Sequence, residues 1–161
     1  MAIIKTPQFG NVAFDENDIF EFVCGLPGFD QARRFICIEQ PTLRPIVFLQ
    51  SVDDPALCFI TLPAHSIDPE YVPNLAGEDM EALGLACVPH SLACLAIVLM
   101  LEDGKATANL LAPVVLSRET MRGVQAVRPD NIYSAVHCLK LMDGWQASGG
   151  SARNVPGEMP C

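Results

Sequence analysis

The sequence predicts an all-β fold, arranged as a barrel or a sandwich of short strands. Short apolar runs recur along the chain with turn-forming residues between them, and this spacing is typical of both architectures. The length of 161 residues fits one domain. In residues 35–38, Phe-Ile-Cys-Ile, both faces of the expected strand are apolar, as a strand covered on both sides requires.

The predicted strands follow the apolar runs in order. They lie at residues 12–14, 19–24, 35–38, 46–52, 57–62, 92–101, 106–116 and 124–127. The clearest hairpin joins the runs at 92–101 and 106–116, because Glu-Asp-Gly-Lys at 102–105 puts an Asp-Gly step between them. We expect this hairpin to be central in the sheet.

One or two short helices are predicted among the strands. Asp68 followed by Pro69 has the pattern of a helix cap and a first helical residue. Residues 78–85 supply Met80 and Leu83 for one short apolar face. Residues 132–142 fit either helical spacing or an edge strand, and the sequence leaves both open.

The domain is expected to span residues 1–145, followed by a disordered tail at 146–161. Ser-Gly-Gly-Ser at 148–151 and two later prolines favour a tail without a packed core.

Charge divides the chain unevenly. The net charge is −9, and no Lys or Arg lies between Arg44 and Lys105. The acidic residues in that interval are Asp53, Asp54, Asp68, Glu70, Glu78, Asp79, Glu81, Glu102 and Asp103. Negative charge repels nucleic acid and attracts basic proteins, so we expect a basic protein partner and no direct nucleic acid. The alternative is that the charge keeps an apolar chain in solution.

A cytoplasmic, soluble protein is expected. The longest apolar run, 92–101, is about half of the roughly 20 residues that a membrane helix needs. The N-terminal residues lack the pattern of an export signal. The seven cysteines are an odd number scattered through apolar runs, which is typical of free thiols in a reducing compartment.

Four short motifs occur in a fixed order along the chain. They are Gly-Leu-Pro-Gly-Phe at 25–29, Leu-Gln-Ser at 49–51 with Asp53-Asp54-Pro55 and Phe59, Asn-Leu-Leu-Ala-Pro-Val at 109–114, and Gly-Val-Gln at 123–125. With these motifs the chain resembles the FliW family of bacterial flagellar assembly factors. The resemblance covers roughly residues 3–140.

The resemblance implies a single-domain pseudobarrel of short, mostly antiparallel strands that binds proteins and catalyses no reaction. In that family, FliW binds CsrA, a small basic repressor that blocks translation of flagellin messenger RNA. Flagellin also binds FliW, so accumulating flagellin withdraws FliW from CsrA. The implied partners are therefore CsrA and flagellin, with no membrane, cofactor or metal, and we expect a monomer. A flagellin-specific chaperone without CsrA binding is the alternative within this class.

Two motifs are interpreted as structural. Gly25, Pro27 and Gly28 predict a tight turn of type II, and no Lys or following helix supports a phosphate loop. Asn109 lies in an apolar strand, and Pro113 four residues later cannot donate to a strand ladder. This pair predicts a bulge or strand end held by the Asn side chain.

The candidate partner-binding residues combine the acidic turns with nearby polar and apolar side chains. They are Gln50, Asp53, Asp54, Glu70, Tyr71, Asn109 and Leu110. The Asp53-Asp54-Pro55 turn is expected at an exposed hairpin tip that carries little folding energy. Charged residues there would steer a basic partner, and the aromatic and apolar residues would anchor it.

A different class of function is a small metal- or thiol-dependent enzyme. Cys87, His90 and Cys94 offer three possible zinc ligands, and a structural zinc site needs four. Because Cys94 opens the most apolar predicted strand, buried thiols are the simpler interpretation.

Overall fold

The structure is a computed structural model that describes residues 1–89 and 91–140. The predicted tail at 146–161 and the end of the predicted domain, 141–145, lie outside the described residues. Eleven strands and two short α-helices are present in the described part. No helix among these residues is long and apolar enough to cross a membrane.

The strands are as follows. They are β1 Ala2–Thr6, β2 Gly10–Phe14, β3 Phe20–Glu21, β4 Arg34–Glu39, β5 Val47–Ser51, β6 Cys58–Pro63, β7 Ala93–Met100, β8 Ala106–Ala108, β9 Val114–Ser117, β10 Arg122–Gln125 and β11 His137–Leu139. The helices are α1 Ala64–Ile67 and α2 Gly77–Leu83.

Seven strands close into a barrel-like ring in the order β7-β6-β5-β4-β3-β10-β9, with β9 pairing back to β7. The β3–β10 contact is parallel and the other pairings are antiparallel. Strands β8 and β11 extend the sheet beyond β7, and β1 and β2 form a separate hairpin. The predicted all-β pseudobarrel is confirmed.

Strand β7 closes the ring, because one of its edges pairs with two different strands. Its C-terminal half pairs with β8, with Val98 opposite Ala108. Its N-terminal half pairs with β9, with Leu95 opposite Val114. The predicted central hairpin at 92–116 is therefore present, but its second run is two strands separated by residues 109–113.

The main core fills the ring. Phe22 and Phe35 pack edge to face with ring centroids 5.1 Å apart, and both side chains are fully buried. On β4, the neighbours Phe35 and Ile36 point to opposite faces and both are buried. The prediction that this strand is covered on both sides is confirmed.

One of the two predicted helix starts is wrong. Asp68 does not begin a helix but follows the last residue of α1, with its N–H donating to Ala64 O at 3.0 Å. Pro69 disfavours helical geometry at the residue before it, so Asp68 is extended and the helix ends there. The predicted helix at 78–85 is present as α2.

The segment at 132–142, which fits either a helix or a strand in sequence, contains strand β11. It pairs with β8, with Leu139 opposite Ala106, and forms one edge of the sheet.

Candidate functional site

The acidic interval between Arg44 and Lys105 lies largely on the surface. Asp68 and Asp79 are half-buried and the other seven acidic residues are exposed, although the side chain of Asp53 itself is only 22% exposed. Two of the seven form ion pairs, Asp53 with Arg34 and Asp103 with Lys105. Five exposed carboxylates have no ion-pair partner among the described residues. They are Asp54, Glu70, Glu78, Glu81 and Glu102.

The sequence predicts that Asp53 is a free charge at an exposed hairpin tip. In the structure its carboxylate is instead bound to β4 and anchors the turn. Its Oδ2 accepts the backbone N–H groups of Arg33 and Arg34, both at 2.9 Å. Its Oδ1 accepts from Arg34 Nε at 2.8 Å and lies 2.7 Å from Arg34 Nη2. Partial burial raises the pKa of the Asp53 carboxyl, but these hydrogen bonds outweigh it and leave the pKa below its usual value.

Asp54, one residue later, forms no ion pair within the described part of the chain. Its Oδ1 accepts the N–H of Ala56 at 3.0 Å, which is a local turn contact. Ser51 Oγ accepts the N–H groups of both Asp53 and Asp54 and so fixes the turn from its base. The tip therefore presents one unpaired carboxylate rather than two.

Gln50 cannot contact a partner in this structure because its side chain is fully buried. Its Nε2 lies within hydrogen-bond distance of the carbonyls of Ser51, Pro55 and Leu57, at 2.9, 3.0 and 3.1 Å. The prediction that Gln50 is a partner-binding residue is therefore corrected to a structural role. The buried amide holds the segment that contains the Asp53-Asp54 turn.

Glu70 is exposed on the loop after α1. Its N–H donates to Asp68 Oδ1 at 3.0 Å, and its own carboxylate has no ion pair among the described residues. It is a second free negative charge in the acidic interval.

Tyr71 and Leu110 are buried, so their prediction as partner-binding residues is also corrected. Leu110 is fully buried, and Tyr71 is 8% exposed. The Tyr71 hydroxyl donates to Leu110 O at 2.8 Å, and burial is the main cause that raises its pKa. Both residues are held in the core that packs around β8.

A buried arginine, which the sequence analysis missed, organises this region. The guanidinium carbon of Arg128 lies 4.8 Å from the ring centroid of Tyr71 and 4.9 Å from that of Tyr133. Arg128 is 6% exposed and pairs with Asp130 through Nε at 3.1 Å and Nη2 at 2.7 Å. The Arg128 hydrogen bonds, with a further one from Asn74, hold the pKa of the Asp130 carboxyl well below its usual range.

This cluster joins distant parts of the chain. Arg128 Nη1 donates to Val72 O, and the Tyr133 hydroxyl donates to Asp68 Oδ2 at 2.7 Å. The same Tyr133 bond holds the pKa of Asp68 below its usual value. The one sequence signal was an Arg-Pro-Asp step shortly before Tyr133, and nothing in its spacing indicates burial or a contact with Tyr71.

Asn109 sits at the break between β8 and β9. Its Oδ1 accepts the N–H of Ala112 at 2.9 Å, and its own N–H donates to Ile97 O at 2.9 Å. Gln125 Nε2 donates to Ala112 O at 3.1 Å, and Pro113 is buried beside it. The Asn side chain thus closes the bulge that separates the two strands, and it is half-buried rather than presented to solvent.

The chain turns tightly at Pro27 and Gly28. Phe29 N–H donates to Leu26 O at 2.8 Å across the turn. Gly28 has φ +83°, which is the value a type II turn requires at its third residue. Gly25, just before the turn, is buried and its N–H donates to Phe22 O at 2.9 Å.

The cysteine residues give little support to a metal or thiol site. His90 lies outside the described residues, and Cys87 is exposed. Burial raises the pKa of Cys94 to about 11, so at neutral pH it is a thiol and a poor nucleophile or metal ligand. Within residues 1–89 and 91–140, no group of three or more His, Cys, Asp or Glu side chains is placed to hold a metal ion.

Comparisons with known proteins agree on one family. The model of the FliW protein family matches residues 3–139. A flagellar assembly factor FliW from Caldanaerobacter subterraneus is 30% identical over 135 residues, covering 83% of this chain and 90% of the relative. Another, from Bdellovibrio bacteriovorus, is 34% identical over 129 residues and covers 80% and 74%. A crystal structure of the flagellar assembly factor FliW matches with a TM-score of 0.76 and 29% identity, covering 85% and 96%.

Proposed function

The chain belongs to the FliW family of flagellar assembly factors, and from this premise we propose that it binds CsrA and flagellin in turn. Bound to CsrA, it antagonises the repression of flagellin messenger RNA. Bound to flagellin, it is withdrawn from CsrA and repression returns. The family is one of assembly factors, so the proposal contains no catalytic step.

The observation that carries the proposal is the set of unpaired carboxylates in the acidic interval. Asp54, Glu70 and Glu102 are exposed, and none forms an ion pair among the described residues. A basic RNA-binding protein such as CsrA is the kind of partner that this charge attracts. The same charge disfavours RNA on the complex, because RNA binding depends on cations that neutralise phosphates.

Charge of this kind acts mainly on the rate at which partners meet. Complementary fields raise association rates by roughly 10 to 1,000-fold, and the gain falls as salt screens the charges. The proposal therefore implies association with CsrA that slows with salt.

The test is displacement of RNA from CsrA. CsrA bound to a flagellin leader RNA is mixed with excess protein, and free RNA is measured. We expect RNA release, and we expect added flagellin to reverse it. RNA that stays on CsrA at every protein concentration contradicts the proposal.

Matched variants connect the test to the acidic interval. Asp54→Asn removes a free charge inside the interval, and Asp18→Asn removes an exposed carboxylate outside it. Only Asp54→Asn is expected to weaken release. Equal effects of the two variants would indicate that net charge alone matters.

A flagellin-specific chaperone without CsrA binding is the second candidate. It is favoured by exposed apolar side chains around the Arg128 cluster, since contacts with an unassembled protein are largely apolar. Val72 is 66% exposed, Val127 57% and Ile132 72%. Arg128 Nη1 binds the Val72 carbonyl, so these side chains lie around one cluster. Flagellin binding without RNA release from CsrA would favour this function.

A further inference from the structure

A groove opens on the sheet face beside β11, where Ser66 and Ile67 of the α1 segment also line it. Its volume is about 520 Å³, and its floor includes the apolar side chains Ile60, Leu62 and Val98. Ile60 and Leu62 are only half-buried, so the floor is partly open to solvent. A cavity of this size accommodates several apolar side chains.

The rim of the groove carries the cations Arg44 and Lys140, in contrast to the net charge of −9. His137 also lines the rim, on the side nearest Asp68. All three are exposed, and none forms an ion pair among the described residues. An occupant with apolar side chains and a negative charge therefore fits this groove best.

The last described residue, Lys140, is itself part of the groove lining. The five residues that follow are Leu141, Met142, Asp143, Gly144 and Trp145. Three of them are large and apolar and one is acidic. An extended chain of five residues reaches about 17 Å, so every one of them can meet the groove from its attachment at the rim.

We propose that residues 141–145 occupy this groove, with their apolar side chains on the Ile60 and Leu62 floor and Asp143 facing the basic rim. Tethering at Lys140 gives the segment a high effective concentration at the groove, which an unattached partner lacks. The segment thus covers the open apolar floor. Any partner that uses this face of the barrel must displace it. The inference is independent of binding to CsrA or flagellin.

Trp145 makes the proposal directly measurable because it is the only tryptophan in the chain. The experiment records its emission and its quenching by acrylamide in the full-length protein, native and in urea. We expect blue-shifted emission and quenching several-fold slower in the native protein than in urea. Native emission and quenching equal to those in urea would overturn the proposal.

Two variants locate the tryptophan in the groove. Ile60→Asn makes the floor polar, and Arg44→Glu reverses a rim charge on an exposed residue. Both are expected to increase quenching several-fold. The matched controls are Leu99→Asn, an apolar residue of β7 outside the groove lining, and Lys5→Glu, an exposed cation on β1.

The outcomes separate the possible occupants. A native circular dichroism spectrum is required of each variant, and Arg44→Glu carries the test if Ile60→Asn unfolds. A protected Trp145 that neither groove variant releases overturns the proposal, since the segment then docks elsewhere. Protection that disappears on dilution also overturns it, because the occupant is then a second copy of the chain.

Discussion

Arg34 Nη2 lies 2.7 Å from Asp53 Oδ1, and this ion pair joins the start of β4 to the turn that follows β5. The same carboxylate accepts two backbone N–H groups from the β4 side. One acidic residue thus fixes the register at which the turn meets its neighbouring strand. Asp54 beside it accepts the N–H of Ala56, a local contact, and its exposed carboxylate forms no ion pair among the described residues.

The first prediction is that Asp53→Asn destabilises the fold and Asp54→Asn does not. The Asp53 side chain is 22% exposed and accepts charge-assisted bonds that an amide only partly replaces. We expect a loss of about 1–2 kcal/mol in the free energy of unfolding for Asp53→Asn and a change within about 0.5 kcal/mol for Asp54→Asn. Urea unfolding of both variants measures this. Equal stabilities would contradict the anchoring role of Asp53.

The second prediction concerns Arg128, whose guanidinium contacts the rings of both Tyr71 and Tyr133 and makes a two-pronged ion pair with Asp130. Lysine retains the charge but cannot make the two-pronged contact or stack its plane on the rings. We expect Arg128→Lys to lower the free energy of unfolding by about 2 kcal/mol. The control is Arg118→Lys at an exposed position, expected to cost little. If both variants unfold at the same urea concentration, the cluster is not stabilising.

The third prediction is a loss of stability in acid. The pKa values of Asp53, Asp68 and Asp130 lie below their usual values in the folded protein. Each of these groups binds fewer protons folded than unfolded, so its contribution is present above the unfolded pKa of about 3.9 and is lost as pH falls below it. Asp79, whose pKa is raised by burial, acts with the opposite sign and offsets part of this loss.

Urea unfolding at a series of pH values measures that loss. The midpoint is expected to fall steadily below about pH 4. In Asp130→Asn the decrease of the urea midpoint with falling pH should be smaller, because asparagine does not titrate and the contribution of this carboxyl to the pH dependence is absent. A pH profile of Asp130→Asn parallel to that of the native protein would show that this carboxyl does not couple to folding.

The fourth prediction is that Gly123 cannot gain a side chain. A Cβ built on Gly123 would overlap the ring of Phe22 and lie 2.8 Å from Leu116 Cδ2. We expect Gly123→Ala to cost about 1–3 kcal/mol through overpacking of the barrel core. Gly77→Ala is the control, since a Cβ there meets nothing within 4 Å. Thermal unfolding compares them, and a Gly123→Ala protein as stable as the control would contradict the close packing.

Sequence periodicity predicted most of the strands because each buried run is short and bounded by turn residues, but it missed β1 and left β11 open between helix and strand. Periodicity alone treats the run at 106–116 as one strand because both halves are apolar, but the bulge or strand end predicted at Asn109 and Pro113 is present and divides it into β8 and β9. The helix predicted at Asp68 failed because Asp-Pro is as compatible with a helix end as with a helix start.

The negative sign of this surface was predictable, because no Lys or Arg lies between Arg44 and Lys105 to pair with the acidic residues there. The roles of the individual residues were not predictable. Asp53 is paired across 19 residues with Arg34, and Arg128 collects contacts from residues 56 positions away. Such distant pairing leaves no periodic signal, so Gln50, Tyr71 and Leu110 were placed at a surface although they are buried.

We propose that this protein binds CsrA through exposed carboxylates that form no ion pair within the described residues. The most direct measurement is a calorimetric titration of the full-length protein with CsrA from the same organism, at low and at moderate salt. The account predicts binding at low salt, weaker binding at moderate salt, and a smaller salt dependence for Asp54→Asn. Absence of binding at both salt concentrations would contradict it and leave flagellin as the partner to test.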